Sequence, residues 1–277
     1  MIPFDFDYYK PASVQKAVEW FQILHLQGKN PMYFSGGTEM ITWARRNSIQ
    51  PGAVLDLKAI PECNVMDFKK DSLVIGSCVT LSALSATNLF PLLSETAQGA
   101  ADQTARNKIT LGGNICGQIY YREAVLPLLL ANSRMVIAGL KGMKEVSIHD
   151  VFFQQIRLEK EEFLVQIVID RGYLSLPYVH YKKRQIGNVG YPLVTVAALK
   201  KDNQIRTAYS GVCAFPFRSF EIEQALNDPL LPLAVKIEQA IGKLPAPILT
   251  NAEGTASYRE FVLKQTMAEA VNVLEGR

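Results

Sequence analysis

The chain is poor in cysteine and histidine and carries no long block of basic residues. Its four cysteines, Cys63, Cys78, Cys116 and Cys213, lie far apart and form no C-x-x-C pair. This spacing argues against a disulfide framework and against iron–sulfur clusters on this chain. It reads as free buried thiols in a reducing compartment. The three histidines, His25, His149 and His180, are scattered without ligand spacing, which argues against a zinc site. No G-x-G-x-x-G follows a strand, and neither G-x-x-x-x-G-K-[ST] nor G-x-S-x-G occurs. A Rossmann fingerprint, a P-loop and a serine-hydrolase elbow are thereby set aside. With 29 basic and 26 acidic residues the net charge of +3 is too mild to imply nucleic acid. The acidic, aromatic start "MIPFDFDYYK" is not a signal peptide. The longest greasy stretch, "AVLPLLLANSRMVIAGL", is interrupted by Pro127, Asn132 and Arg134, so a buried helix and a strand explain it better than a membrane span. Few side chains are left for catalysis unaided, which favours a cofactor that brings its own chemistry.

What is present is apolar patterning. The 277 residues, 48% of them hydrophobic, can bury a real core and suggest two domains. "SVQKAVEWFQILHLQG" reads as an amphipathic helix capped by Ser13, with Val14, Val18, Phe21 and Leu24 as its stripe and Gly28 at the stop. Strand "PMYFS", helix "TEMITWARRN" and strand "GAVLDL" follow, the order of an α/β layer. "LLSETAQGAADQTARN" reads as one helix. "REAVLPLLLANS" reads as another, with Pro127 early enough to be tolerated, and "RMVIAGLKGMKEVSI" as a hairpin. Beyond Asp150 strands dominate: "FLVQIVID", "LPYVHYKKR", "YPLVTVAALKK" and "IRTAYSGVCA", two of them joined at "KKDNQ". Three helical segments close the chain, and a boundary falls at "DRGYLSLP", near residues 170–175.

Two glycine pairs stand out, Gly36-Gly37 in "YFSGGTEM" and Gly112-Gly113 in "TLGGNICG". Consecutive glycines leave amide donors unshielded, and a helix starting just after them adds the positive end of its dipole. Each pair is read at a strand-to-helix junction beside a hydroxyl, Thr38 or Thr110, placed to donate further bonds. A turn explains either pair singly; the two together favour a pyrophosphate and hence a dinucleotide. A side chain at Gly36 or Gly113 is then expected to fill the anion's space while leaving the fold mostly intact.

These segments resemble the flavoprotein subunits of molybdenum hydroxylases, the medium subunits of xanthine dehydrogenase and carbon monoxide dehydrogenase. "FSGGTEMI" is similar to their first FAD loop, and "TLGGNICG", preceded by "ARN", to the second. "FDYYKPASVQKAVEWF" resembles the family's opening, and "HYKKR" with "AYSGVCAFPFRSFEIEQAL" its C-terminal domain. The resemblance implies an α+β fold of the vanillyl-alcohol-oxidase (PCMH) type. Residues 1–172 would form an FAD-binding domain, in subdomains of about 1–57 and 58–172. Residues 173–277 would form a C-terminal domain with a three-stranded antiparallel sheet and helices.

By the same resemblance, Tyr33, Phe34, Ser35, Gly36, Gly37, Thr38, Glu39 and Met40 would wrap one side of the diphosphate, and Thr110, Leu111, Gly112, Gly113, Asn114 and Ile115 the other. Glu123 would meet the adenosine ribose and Lys182 would approach the flavin. The sequence departs from the family at Ile119-Tyr120, where Ser-Pro is common, and at Glu123, where Asp is. It also lacks the acidic residue after the Tyr-Lys-Arg run. A helix-terminal carboxylate and a solvated strand lysine stay open as the readings of Glu123 and Lys182.

The function implied is the FAD-binding subunit of a cytoplasmic xanthine dehydrogenase-like complex. Iron–sulfur and molybdopterin partner subunits would supply electrons, which noncovalent FAD would pass to NAD as co-substrate. The alternatives are an FAD-free scaffold subunit and a self-sufficient flavin oxidoreductase of the same fold.

Overall fold

The computed structural model describes Met1 to Gly276 apart from Ile186, Asn188 and Val189. The chain divides into two compact units: one of Met1–Leu84, Gln103–Gly117 and Ser133–Asp170, the other of Ser85–Asp102, Gln118–Asn132 and everything from Arg171 onward. The units interleave along the chain, where the sequence suggests consecutive blocks. Among the described residues no helix is long and apolar enough to cross a membrane.

The first unit starts with a three-stranded parallel sheet in the order Asp7–Tyr9, Ala53–Asp56, Pro31–Phe34. Its central strand is buried along its whole length, as a strand with two covered faces should be. The helix Val14–Leu26 forms where expected. Ser13 Oγ accepts the Lys16 amide, and Phe21 and Leu24 pack on Ala53 and Leu55. A second, antiparallel sheet runs in the order Met66–Lys69, Ser72–Gly76, Phe163–Asp170, Arg134–Gly139, Gly142–Ser147. The last two strands are the expected hairpin. Ala17 and Val18 meet Leu57, Ile60, Cys63, Cys78, Phe163 and Val165 in a core that joins the helix to this sheet.

In the second unit an antiparallel sheet runs Tyr178–Lys183, Val194–Lys201, Gln204–Ser210, Phe217–Arg218, so a two-residue fourth strand joins the three expected. Its central hairpin turns at Asp202 and Asn203, both at positive φ (52° and 59°), the twist that a tight hairpin requires. The long helix Ala256–Glu275 buries Leu263, Met267, Val271 and Leu274 against Val194, Val196 and Ala198. The helix Val125–Leu130 also packs on this sheet, with Pro127 harmless in its first turn. Arg206 and Arg218 donate to the terminal carbonyls of that helix, at Leu130 and Leu129. Such last-turn carbonyls have no partner inside their own helix.

The single helix expected over "LLSETAQGAADQTARN" is instead two. Pro91–Gly99 ends in the second unit, and Gln103–Arg106 belongs to the first. Helical propensity is overridden at the break. Ala101 takes φ 48°, and the Gly99 carbonyl accepts both Lys182 Nζ and Arg184 Nη2 at 2.9 Å.

Candidate functional site

The first glycine loop leaves the strand Pro31–Phe34 at its carboxyl end and opens the helix Thr38–Arg45. Gly37 is the N-cap residue at φ 73°, and among the described residues no side chain caps this helix. Gly36 serves a different need. A Cβ there would stand 2.1 Å from the Lys108 carbonyl oxygen, so the loop presses backbone to backbone on the approach to the second loop. The expectation that Gly36→Val leaves the fold mostly intact is therefore corrected: protein, not a ligand, takes that space.

The second pair does not follow a strand. Thr110 makes only an isolated bridge with Thr80, and Gly112-Gly113 lie within the first turn of the helix Leu111–Cys116. The Thr110 hydroxyl is buried and accepts the Gly113 amide at 3.1 Å, so it caps its own helix. Gly112 abuts Ser77, where a Cβ would meet the Ser77 Cβ at 2.5 Å. Gly113 is exposed, and a Cβ there would meet only Thr110 Oγ1, at 2.9 Å. Ser35 Oγ lies 3.0 Å from Thr110 Oγ1 and 3.3 Å from Cys78 Sγ, a polar bridge between the loops. The two loops thus meet inside the first unit.

The remaining loop residues divide between lining and support. Tyr33 belongs to the core: its ring packs 4.6 Å from Phe21 and 4.7 Å from Phe163, and its hydroxyl donates to the Glu161 carbonyl at 2.9 Å. Leu111 and Ile115 are fully buried, and Phe34 lies under Gly37. Thr38 is exposed; Met40 and Asn114 are half-buried. Glu39 turns toward the second loop, its Oε2 2.9 Å from where a Cβ of Gly117 would be.

Sequence reasoning passed over Lys58. Its Nζ donates to Asp56 Oδ2 at 2.9 Å and to the Ser35 carbonyl at 3.0 Å, and it sits 4.5 Å over the Phe34 ring. Asp56 also accepts the Lys58 amide at 2.9 Å and the Tyr8 hydroxyl. Burial pushes the Asp56 carboxyl up, but the bonds from Lys58 and Tyr8 outweigh it and hold the group below its usual range. The Tyr8 phenol is pushed up to about 12, first by its bond to Asp56. The available signal was a lysine just past the buried strand Ala53–Asp56, beside the strand that carries the glycine loop. Cys63 and Cys78, distant in sequence, are also neighbours here: the Cys78 amide donates to the Cys63 carbonyl at 2.8 Å. The bond from the Cys63 thiol draws the Cys78 thiol below its usual range, and the Cys63 thiol moves up in return.

Glu123 and Lys182 both fall in the second unit, where they bond to each other. Thr195 Oγ1 donates to the other Glu123 oxygen at 2.6 Å, and Lys182 also holds the Gly99 carbonyl. Lys182 is not the solvated strand lysine that stayed open: its side chain is 5% exposed. Desolvation draws its pKa below the usual lysine value, against the pull of Glu123.

An FAD diphosphate fits the first unit's loops. The chemistry offered is an uncapped helix N-terminus, an exposed glycine on the second loop and a half-exposed lysine.

Residues 4–170 match the family described as the FAD binding domain in molybdopterin dehydrogenase. The glyceraldehyde dehydrogenase medium chain of Sulfolobus acidocaldarius is 26% identical over 95% of this chain and 96% of its own length. The carbon monoxide dehydrogenase medium chain of Hydrogenophaga pseudoflava is 26% identical over 100% and 99%. The xanthine dehydrogenase FAD-binding subunit of Escherichia coli O157:H7 is 23% identical over 96% and 98%. A solved structure of the Hydrogenophaga carbon monoxide dehydrogenase superposes with a TM-score of 0.87 at 23% identity, covering 100% of this chain and 99% of that one. The fold is therefore the one the resemblance implied.

Proposed function

The chain belongs to the family of FAD-binding domains in molybdopterin dehydrogenases, as the FAD-binding subunit of a molybdenum hydroxylase, and on that premise we propose that it serves a xanthine dehydrogenase in the cytoplasm. In this reading a molybdopterin subunit oxidises xanthine, an iron–sulfur subunit carries the electrons, and this chain delivers them to NAD. When bound, FAD supplies the two-electron chemistry. The chain's own residues bind and orient it. Ser35 to Thr38 offer backbone donors at the start of a helix, Thr110 holds Gly113 in place, and Tyr33, Leu111 and Ile115 fill the space beneath and keep water out.

The observation that carries the reading is the meeting of the two glycine loops in one unit, through Ser35 and Thr110. Similarity to a protein named a xanthine dehydrogenase FAD-binding subunit supports the purine. Relatives named for glyceraldehyde and carbon monoxide are similar over the same span, as expected if substrate choice lies on the molybdenum subunit.

The test is flavin absorbance and NADH-to-dye activity of the purified full chain, beside Gly113→Val. Flavin-dependent NADH oxidation that Gly113→Val abolishes supports both the cofactor site and the acceptor. A flavin-loaded chain that ignores NADH, while the assembled complex works with another acceptor, removes NAD. A colourless chain points to the scaffold reading, and substrate turnover without partners to a self-sufficient oxidoreductase.

A further inference from the structure

We propose that Lys58 is the cationic ligand of the diphosphate at the first glycine loop. The proposal rests on the FAD reading above and adds a residue that reading does not use.

Position comes first. The strands Pro31–Phe34 and Ala53–Asp56 are parallel neighbours, with Phe34 opposite Asp56 at their carboxyl ends. Ligands of open parallel sheets gather outside the carboxyl ends of the strands. Ser35 to Gly37 leave one of these ends and Lys58 leaves the other, two residues on.

Donor capacity comes second. An ammonium has three N–H groups. Asp56 Oδ2 takes one at 2.9 Å and the Ser35 carbonyl takes another at 3.0 Å. The Phe34 ring lies 4.5 Å beneath the same nitrogen, yet the side chain remains 44% exposed, so the ammonium is accessible to a ligand oxygen.

Charge comes third. Asp56 and Glu39 both belong to this part of the unit, and a diphosphate brings further negative charge. Lys58 offsets this at the loop itself, and its aim is fixed from behind: Tyr8 holds Asp56, and Asp56 holds Lys58. Tyr8 and Asp56 are positioning residues, and Lys58 makes the contact.

The rival role for Lys58 is mechanical: it fastens the Ser35 carbonyl and touches no ligand. Flavin-fluorescence titration of the apo full chain with FAD, at about 50 mM and about 500 mM salt, separates the two, because salt screens an exposed charge contact. Lys58→Gln should raise the Kd for FAD roughly ten- to hundredfold at low salt, the range of one charge-assisted hydrogen bond. The deficit should shrink at high salt, and Lys58→Arg should recover most of the affinity. Wild-type affinity in Lys58→Gln, or an equal loss at both salt concentrations, overturns the inference and leaves the FAD reading standing. A wild-type chain without affinity for FAD overturns both. Should Lys58→Gln fail to fold, inorganic pyrophosphate is titrated against FAD on the wild type and on Lys58→Arg. Displacement that weakens with salt on both supports the proposal, and no displacement from either overturns it.

Discussion

Glu123 and Lys182 bond to each other in the interior of the second unit, each with a side chain only 5% exposed. The resemblance assigned the two to opposite ends of a cofactor; in the fold they are partners of each other. Removing one partner strands a buried charge. Glu123→Gln or Lys182→Met should each cost roughly 3–5 kcal/mol, and the double variant clearly less than the sum of the two. Urea denaturation of the four proteins measures the coupling. Additive losses would mean that the pair contributes nothing beyond its separate contacts.

The glycines of the two loops should answer differently to substitution. Gly36→Ala forces a Cβ onto the Lys108 carbonyl, so it should destabilise the unit by about 1–3 kcal/mol and lower flavin content with it. Gly113→Ala presses only on the Thr110 hydroxyl, at 2.9 Å, which must shift, so it should lower the melting temperature less than Gly36→Ala does while flavin is lost. Flavin-to-protein ratio and melting temperature, measured together, decide. A stable, flavin-loaded Gly113→Ala chain would remove the second loop from the cofactor site.

How much of this could be read beforehand followed the range of the interactions. Ser13 and the stripe through Phe21 and Leu24 are local, and the helix formed as its pattern dictates. The hairpin at Asp202-Asn203 is local as well. The break after Gly99 was not legible, because residues 83 and 85 positions away draw on its carbonyl. Lys58 was missed for the same reason: its importance depends on Ser35, which is adjacent only once the parallel sheet has formed. The glycine pairs were visible as pairs. That Gly36 makes room for Lys108, and Gly37 for a left-handed turn, required the fold.

Asp56 should make the first unit acid-sensitive. Its carboxyl is held below the unfolded value of about 3.9. Its contribution is therefore complete above that value and is lost as the pH falls through the depressed one. Asp56→Asn should lower stability near neutral pH by roughly 1–3 kcal/mol and flatten the acid limb of the melting curve. Melting temperatures from pH 7 down to about 3 provide the check; parallel curves for wild type and variant would discard the Asp56 account.

The flavin should be held without a covalent bond. Attachment in this fold class generally uses a histidine or cysteine side chain. Along the two loops the one such residue is Cys116, half-buried at the end of the helix Leu111–Cys116. His180 is drawn toward Glu95, 3.7 Å away in the second unit, and His25 lies in the last turn of the helix Val14–Leu26. The loops bind through backbone donors and charge, which suits a diphosphate that enters and leaves. Acid precipitation should release all the flavin to the supernatant, and Cys116→Ser should retain the flavin-to-protein ratio of the wild type. Yellow colour remaining with the pellet, and lost in Cys116→Ser, would identify a thioether at Cys116 in place of the noncovalent site.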